Sequence, residues 1–256
     1  MREQQAISRW KPGQRWYYPL LTALVIAGSR FITRTLNSLV IEELERFESL
    51  RQRGCRGLLT FSNHVSLFDD PLLVSNFGVT CYEEVRWVAA DAMNFFGSRW
   101  KAGLFTAGKC VPVVRGAGLD QPGLLYLGDR LREGGWVHIF PEVGRASGPR
   151  ALMTHPLKSG IGRLIAEAMP IALPFYHYGM HGILPTGAKL PRRGKTVRLV
   201  FGHPLDCDEE FLHNVALRED GTDLVGQALW EALAERCYDS LRRLELLVNA
   251  AAAAPQ

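Results

Sequence analysis

The sequence predicts a single α/β domain whose largely parallel or mixed β-sheet is flanked by helices. Short apolar segments of strand length alternate along the chain with longer segments of helical periodicity, a pattern typical of β-α units around such a sheet. The 256 residues are 47% hydrophobic and 22% charged, and no Gly/Ser-rich or Pro-rich linker divides the middle of the chain. These values are ordinary for a globular protein, so they favour one large core over a disordered or polytopic membrane protein.

The alternation follows a predicted amphipathic helix at 31–51, whose apolar stripe carries Leu36, Val40, Leu44 and Phe47. Apolar runs bounded by turn residues then predict strands at 57–61, 85–90, 110–114, 136–140, 171–176 and 196–202. Helical periodicity, in two cases with proline at the first position, predicts helices at 71–75, 95–105, 122–132, 160–168 and 222–248.

Three polar residues follow predicted strands at their carboxyl ends: His64, Arg115 and Glu142. In open sheets of this class, ligands bind in the crevice at the carboxyl ends of the strands. We therefore expect all three side chains to face one crevice.

The N-terminal segment has an unusual distribution of charge. Residues 1–35 contain six basic residues and one acidic residue, and they enclose an uncharged apolar stretch at 17–28. Twelve residues are too few to span a bilayer, which needs about 20. Tryptophan, tyrosine and arginine on the flanks favour a segment lying in the interface of an anionic membrane. A signal peptide and a buried core helix are the alternatives, although the sequence offers no convincing cleavage site.

These features predict three regions: an N-terminal membrane-interface and amphipathic helical region at 1–54, a main domain at 55–249 and a flexible tail at 250–256. The positive charge is concentrated around an apolar segment and not along an aromatic-studded groove, which argues against a nucleic-acid partner.

Several motifs can be set aside. The five cysteines are scattered and form neither CxxC nor zinc spacing, so reduced structural thiols are expected. Residues 103–110 nearly match a phosphate-binding P-loop, but Cys110 replaces the required Ser or Thr, and a strand follows instead of a helix. His177 and His181 are four apart, but nearby glycines and a proline disfavour a metal-binding helix. These patterns therefore predict neither nucleotide hydrolysis nor a metal site.

His64 and Asp69 are the strongest candidates for catalysis. Residues five apart on a regular helix point about 140° away from each other. The two side chains can therefore meet only if His64 lies on the turn before a helix and Asp69 lies near its start. In that geometry the carboxylate would orient the imidazole and leave its other nitrogen free to act as a base. The alternative is that both residues merely cap a turn and a helix N-terminus.

Two further segments have a functional and a structural interpretation. Arg115 ends a predicted strand between flexible glycines, where a guanidinium can bind a phosphate, or it is simply solvated. Glu142, in Phe140-Pro141-Glu142, can hydrogen-bond a substrate hydroxyl or cap a turn.

Taken together, these segments resemble the motifs of the glycerolipid acyltransferase superfamily. The first motif, NHxxxxD, is matched by Asn63, His64 and Asp69, the second by Arg115, and the fourth, an apolar strand with proline, by residues 171–174. The third, FPEG, is matched by Phe140, Pro141 and Glu142, but here Val143 precedes the glycine, which becomes Gly144. Within the superfamily, residues 58–205 are most similar to the tafazzin family of phospholipid transacylases.

The resemblance implies a glycerol-3-phosphate acyltransferase-like fold held monotopically on a membrane. It implies CoA-independent transfer of an acyl chain between a phospholipid and a lysophospholipid, as in cardiolipin remodelling, without an acyl-enzyme and without a consumed cofactor. His64 and Asp69 would be catalytic; Asn63, Arg115, Phe140, Pro141, Glu142 and Gly144 would bind substrate.

Two other functions stay open at this point. One is an acyl-CoA-dependent lysophosphatidic acid acyltransferase with the same four motifs, and the other is a membrane lipid-binding protein with a decayed site. The resemblance also implies phospholipid partners and a location on mitochondrial membranes facing the intermembrane space.

Overall fold

A computed structural model describes residues 2–13, 15–54, 56–142, 152, 153, 156–185, 188, 190–219 and 221–253. These residues build one mixed sheet with the strand order β1-β7-β6-β2-β5-β3-β4, and β8 pairs with β6. The strands are β1 (Ser38–Glu42), β2 (Leu58–Ser62), β3 (Trp87–Asp91), β4 (Cys110–Val113), β5 (Trp136–Ile139), β6 (Ile171–Tyr178), β7 (Thr196–Phe201) and β8 (Leu205–Asp206).

Helices cover the sheet, and a short π-helical segment (Phe31–Thr35) precedes β1. The α-helices are α1 (Arg2–Arg9), α2 (Tyr18–Arg30), α3 (Leu44–Arg53), α4 (Asp69–Val74), α5 (Ala92–Phe95), α6 (Arg99–Ala107), α7 (Pro122–Arg132), α8 (Gly160–Ala168), α9 (Met180–Ile183), α10 (Glu209–Ala216) and α11 (Gln227–Ala253). The predicted α/β class with a largely parallel or mixed sheet is therefore confirmed. Within the described residues, no helix combines the length and the hydropathy needed to cross a bilayer.

The direction of the central strands determines where polar residues gather. The pairs β2-β5, β2-β6, β3-β5 and β3-β4 are all parallel, whereas β7 and β8 run antiparallel to β6. The carboxyl ends of β2 to β6 consequently lie along one edge of the sheet. The chain leaves that edge at His64, Arg115 and Phe140, among others.

Two apolar clusters lie on opposite faces of the sheet, as the alternation of side chains along a strand requires. On β2, Leu59 packs into a cluster with α7, α8 and α11, while the neighbouring Leu58 packs into a cluster with α2, α3 and α4. Both leucines are buried, so β2 is the central strand that carries the turn with His64.

The prediction of a helix at 31–51 is wrong. The segment divides into the π-helical turn, strand β1 and helix α3. β1 pairs in parallel with β7, with Ser38 opposite Thr196, so its backbone hydrogen bonds are made across the sheet. Glu43 then takes a left-handed conformation, φ 59°, which ends any continuous helix. The sheet thus includes residues that lie before the predicted domain start at 55.

Two other boundaries differ from the prediction. The expected helix at 95–105 is two helices, α5 and α6, separated by Phe96–Ser98. The final helix begins at Gln227 instead of 222 and continues to Ala253, so it takes up part of the stretch predicted to be a flexible tail. Residues 254–256 lie outside the described residues.

The contact between α8 and α11 depends on a glycine. A Cβ atom on Gly162 would lie 1.9 Å from the Trp230 carbonyl oxygen, a backbone atom that cannot move aside cheaply. We expect Gly162→Ala to lower the free energy of unfolding by about 3 kcal/mol, the upper part of the range for overpacking. Gly103→Ala is the matched control, because that helical glycine faces open space and alanine there should raise stability by up to about 1 kcal/mol. Chemical denaturation of both variants measures the difference, and equal effects would contradict the packing argument.

Candidate active site

The turn after β2 brings His64 and Asp69 together in the predicted geometry. His64 lies on the turn, and Asp69 is the first residue of α4. The imidazole Nδ1 is 3.0 Å from Asp69 Oδ2, and the carboxylate is fully buried whereas the imidazole is 18% exposed. The pair is therefore anchored on the protein side and open on the other.

Asp69 is fixed by more than the imidazole. The backbone N–H groups of Val65 and Ser66 donate to the same Oδ2 at 2.6 and 2.8 Å. Burial alone would raise the pKa of Asp69, but the electrostatic interaction with the His177 ring, whose Nε2 is 3.6 Å from Oδ2, the hydrogen bond from His64 and the Ser66 N–H outweigh it, so the pKa is lowered. An ionised Asp69 only accepts hydrogen bonds, which places the proton of neutral His64 on Nδ1 and leaves Nε2 as the basic nitrogen.

The loop after β5 supports His64 from two sides. The Phe140 ring stacks on the imidazole, with centroids 4.2 Å apart and planes at 27°. Glu142 Oε1 accepts a hydrogen bond from the His64 backbone N–H at 3.0 Å, and Glu142 is buried. These contacts hold the turn and restrict the orientation of the ring.

A cavity of about 1150 Å³ opens beside His64, somewhat above the roughly 300–1,000 Å³ of ordinary small-molecule pockets. Apolar side chains from α2, α4 and α6 form much of its wall, and Phe140 and Pro141 belong to it. Its polar members include His64, Asp70, Arg86, Arg115 and Lys158. The composition suits a ligand with long apolar chains and an anionic group.

The predicted site residues do not all face this cavity. His64 and Arg115 do, and Arg115 is about half exposed, with its Nε 2.9 Å from Asp91 Oδ2. Glu142 is turned toward the His64 backbone and is absent from the described cavity wall, which corrects the expectation that it shares the crevice. Val143 and Gly144 lie outside the described residues.

Asn63 also differs from its predicted contact with substrate. It is fully buried, its Nδ2 donates to the His177 carbonyl at 2.9 Å, and its Oδ1 accepts from the His177 N–H at 3.0 Å. Both ends of the amide are thus engaged with the end of β6. In the structure, Asn63 connects the end of β2 to the end of β6 and does not face the cavity as a substrate ligand would.

Sequence reasoning missed a buried ion pair in the cavity wall. Arg86 donates through Nε to Asp70 Oδ1 at 2.7 Å, makes a second contact through Nη2 to Oδ2, and donates through Nη1 to the Gly108 carbonyl at 2.9 Å. Burial lowers the pKa of Arg86 to about 10, so it stays cationic at neutral pH. Asp70 and Asp69 are adjacent in the sequence, and only their partners in the structure distinguish them. Asp70 pairs with Arg86, whereas Asp69 pairs with His64.

The described cavity wall also contains the thiol of Cys110 and a lysine, Lys158, that the sequence did not indicate. Burial raises the pKa of Cys110 to about 11, so its thiol is protonated and weakly nucleophilic at neutral pH. Lys158 is exposed and lies just before α8. The described residues contain no cluster of three or more potential metal ligands.

The sequence pattern that defines the Acyltransferase family matches residues 40–178. This range contains the turn after β2, the loop after β5 and the end of β6, and it spans more than half of the chain. The chain belongs to the acyltransferase family. The predicted relationship to the glycerolipid acyltransferase superfamily is thereby confirmed.

Individual relatives include two tafazzins and a plant synthase. The chain is 34% identical to tafazzin from Drosophila melanogaster over 211 residues, which cover 78% of this chain and 55% of the relative. It is 35% identical to taffazin from Dictyostelium discoideum over 181 residues, 66% of this chain and 61% of the relative. N-acylphosphatidylethanolamine synthase from Arabidopsis thaliana is 33% identical over 259 residues, 88% of this chain and 90% of the relative. The chain thus spans about 55–61% of the length of the two tafazzin relatives and most of the plant relative.

The fold also has a solved counterpart. The crystal structure of the 1-acyl-sn-glycerophosphate acyltransferase from Thermotoga maritima superposes with a TM-score of 0.53, covers 89% of this chain and 90% of the other, and is 18% identical. At this identity the comparison establishes the acyltransferase fold and nothing about substrate.

Proposed function

We propose that this acyltransferase moves an acyl chain from a phospholipid to a lysophospholipid without coenzyme A. The observation that carries the proposal is an imidazole whose Nδ1 is held 3.0 Å from a buried carboxylate, at the wall of a large, mostly apolar cavity. The similarity to two tafazzins supports a phospholipid as the acyl donor.

The reaction needs only one base that returns its proton. His64 Nε2 takes the proton of the acceptor hydroxyl, and the oxygen attacks the ester carbonyl of the donor. The tetrahedral intermediate collapses and expels the glycerol oxygen of the donor, which receives the proton from Nε2. Asp69 stabilises the imidazolium between the two proton transfers, so one ester is broken, one is formed and no cofactor is consumed.

In the decisive experiment, the purified protein is incubated with liposomes that contain labelled monolysocardiolipin as the acceptor. Either phosphatidylcholine or acyl-CoA is the only acyl donor. Transfer from phosphatidylcholine without CoA is the expected result. Transfer from acyl-CoA alone would overturn the transacylase proposal and favour the lysophosphatidic acid acyltransferase alternative, with the same His64 and Asp69 chemistry. No transfer from either donor, with lipid binding retained, would favour a lipid-binding protein.

A second candidate function follows from the plant relative, which this chain matches over nearly its whole length. In that case the acceptor would be the amine of phosphatidylethanolamine instead of a lysolipid hydroxyl. Including phosphatidylethanolamine in the liposomes distinguishes the two functions, because acylation of its amine places the transferred chain in an amide, which survives the mild alkaline hydrolysis that cleaves esters.

Arg115 is proposed to bind the phosphate of a lipid substrate. Its Nε pairs with Asp91, which holds the guanidinium at the cavity wall while the side chain stays about half exposed. We expect Arg115→Gln to raise the half-saturating lysolipid concentration about 10-fold or more, since a hydrogen bond to a charged group contributes about 1.5–3 kcal/mol. Arg218→Gln, at an exposed arginine outside the cavity, is the control. A lower kcat with unchanged half-saturation would contradict this assignment.

Apolar side chains at the cavity mouth are proposed to lie on an anionic membrane, as the basic N-terminal region predicts. Leu24 on α2, Leu67 and Phe68 on the turn before α4, and Leu104 on α6 belong to the cavity wall yet are 39–62% exposed. Trp100 on α6 is 68% exposed, with a cation on either side of it in the sequence. A membrane on this face would let acyl chains enter the cavity directly from the lipid.

The membrane proposal predicts the effect of a charge at this face. Phe68→Glu should reduce co-sedimentation with anionic liposomes at least several-fold, because it places a carboxylate among the acyl chains. Leu247→Glu is the matched control, since Leu247 is 64% exposed on α11, on the opposite face of the sheet from α2. Equal losses in both variants would contradict the orientation. Placement on mitochondrial membranes facing the intermembrane space stays a prediction from the resemblance.

A further inference from the structure

The end of β6 carries a second buried histidine behind the candidate catalytic pair. β2 and β6 are parallel, with Ser62 opposite Phe175, so the residues after Ser62 lie beside the last residues of β6. His177 is therefore a neighbour of Asn63 and is fully buried. It does not belong to the described cavity wall and cannot touch a substrate there.

Three hydrogen bonds join His177 to Asn63. Two run between the Asn63 amide and the His177 backbone at 2.9 and 3.0 Å. In the third, the His177 Nε2–H donates to the Asn63 carbonyl at 3.1 Å, since a carbonyl oxygen only accepts. His177 thus holds both the side chain and the backbone carbonyl of Asn63, the residue directly before His64.

The same nitrogen also faces Asp69. His177 Nε2 is 3.6 Å from Asp69 Oδ2, the oxygen that binds His64 Nδ1. Asp69 Oδ1, by contrast, is buried without a hydrogen-bond partner among the described residues. Among the described residues, the donors near this carboxylate therefore converge on the oxygen that orients the catalytic imidazole, and the Nε2–H dipole of His177 adds to them.

His177 is held in its neutral form. With the proton on Nε2, its Nδ1 is a lone pair, and this atom is buried without a partner in the described part of the chain. Burial lowers the pKa of His177 in spite of the Asp69 carboxylate, which raises it. The other titratable groups that face it are His64 and His138, and burial also keeps the pKa of His138 well below its usual value. The proton taken up by His64 consequently has no competing acceptor at His177.

We propose that His177 is a positioning residue for the acyl transfer, which holds Asn63 and the charged oxygen of Asp69 so that His64 keeps Nδ1 protonated and Nε2 free. The proposal rests on the proposed function. It places a second imidazole beside the Asp69 carboxylate. Three residues, His64, Asp69 and His177, then act together instead of two.

Two substitutions separate this role from simple packing. His177→Phe fills the space without a donor, whereas His177→Gln restores an N–H near the position of Nε2. We expect His177→Phe to lower kcat about 10–100-fold, in line with other residues that orient a site through a first partner, with little change in KM. Loss of the N–H also removes an interaction that lowers the pKa of Asp69, so the acidic limb of the kcat profile, which reports the coupled His64–Asp69 pair, should move to higher pH. His177→Gln should recover most of both effects.

His181→Gln is the control for a histidine change in the same segment, since His181 does not contact Asp69, His64 or the cavity in the described structure. Each rate is divided by the fraction of folded protein, which is measured by thermal unfolding of the same variant. An unmoved pH profile in His177→Phe with kcat within about 3-fold of the parent, or a His177→Gln variant no better than His177→Phe, would overturn the proposal.

A measurement on the unsubstituted protein does not depend on activity or on how the variants fold. Nitrogen-15 NMR of the histidine side chains, with the His177 signal assigned by its absence in His177→Gln, should show a neutral Nε2–H tautomer between pH 7 and pH 8. A His177 signal that protonates in this range would overturn the proposal. Absence of acyl transfer in the parent, with the expected tautomer present, would instead count against the proposed function alone.

Discussion

Replacing His64 with alanine is expected to lower kcat/KM for acyl transfer by about 10²–10⁴-fold, the range attributed to a positioned general base. His64 Nε2 is the basic nitrogen at the cavity wall, and burial keeps the Cys110 thiol protonated. The rate is measured as label transferred to monolysocardiolipin in liposomes under the donor condition that supports the parent enzyme.

The fold of this variant should survive. His64 is partly exposed, and within the described part of the chain its ring makes one hydrogen bond, with Asp69, and one stacking contact, with Phe140. The free energy of unfolding should therefore fall by only about 1–2 kcal/mol. His203→Ala, at an exposed histidine after β7, controls for loss of an imidazole as such. A His64→Ala enzyme that retains activity within a few-fold of the parent would refute the assignment of the base.

The position of the candidate site could be predicted from the sequence because it depends on chain direction. Apolar runs identified β2, β4 and β5, and parallel strands end on the same edge of a sheet, so His64 and Arg115 were expected to share a crevice. Both line the cavity. The His64–Asp69 contact was predictable for a similar reason, since a spacing of five allows it only across the start of a helix.

Contacts between residues distant in the chain could not be predicted. Asn63 is fixed by His177, 114 residues later, and its sequence environment gives no signal of that partner. Arg86 pairs with Asp70 across 16 residues and lies in an otherwise unremarkable stretch. The orientation of Glu142 depends likewise on a backbone N–H from another loop.

The error at 31–51 has the same origin. Residues 38–42 form an edge strand whose hydrogen bonds are made to β7, more than 150 residues later in the sequence. Apolar residues at helical spacing mimicked a helix, because an edge strand with partly exposed residues shows only weak alternation. Tertiary pairing therefore outweighed the local pattern.

Asp69→Asn should lower kcat about 10²–10⁴-fold while leaving KM nearly unchanged. The two backbone donors from Val65 and Ser66 fix the orientation of the new amide, because only its oxygen can accept their hydrogen bonds. His64 Nδ1–H then still finds an acceptor and keeps its tautomer, but the imidazolium formed during the reaction has no negative partner. The variant thus removes the charge and preserves the geometry, and steady-state rates at several pH values measure what the charge contributes.

The neighbouring carboxylate provides the matched comparison, because Asp70→Asn should act on stability instead. That change leaves the buried Arg86 cation without an ionic partner, and breaking such a pair costs up to about 3–5 kcal/mol. Thermal unfolding and kcat per folded molecule should therefore separate the two substitutions, with the rate loss at position 69 and the stability loss at position 70. If Asp69→Asn lowered stability while kcat per folded molecule stayed within a few-fold of the parent, Asp69 would be a cap of helix α4 and the imidazole would work without a charged partner.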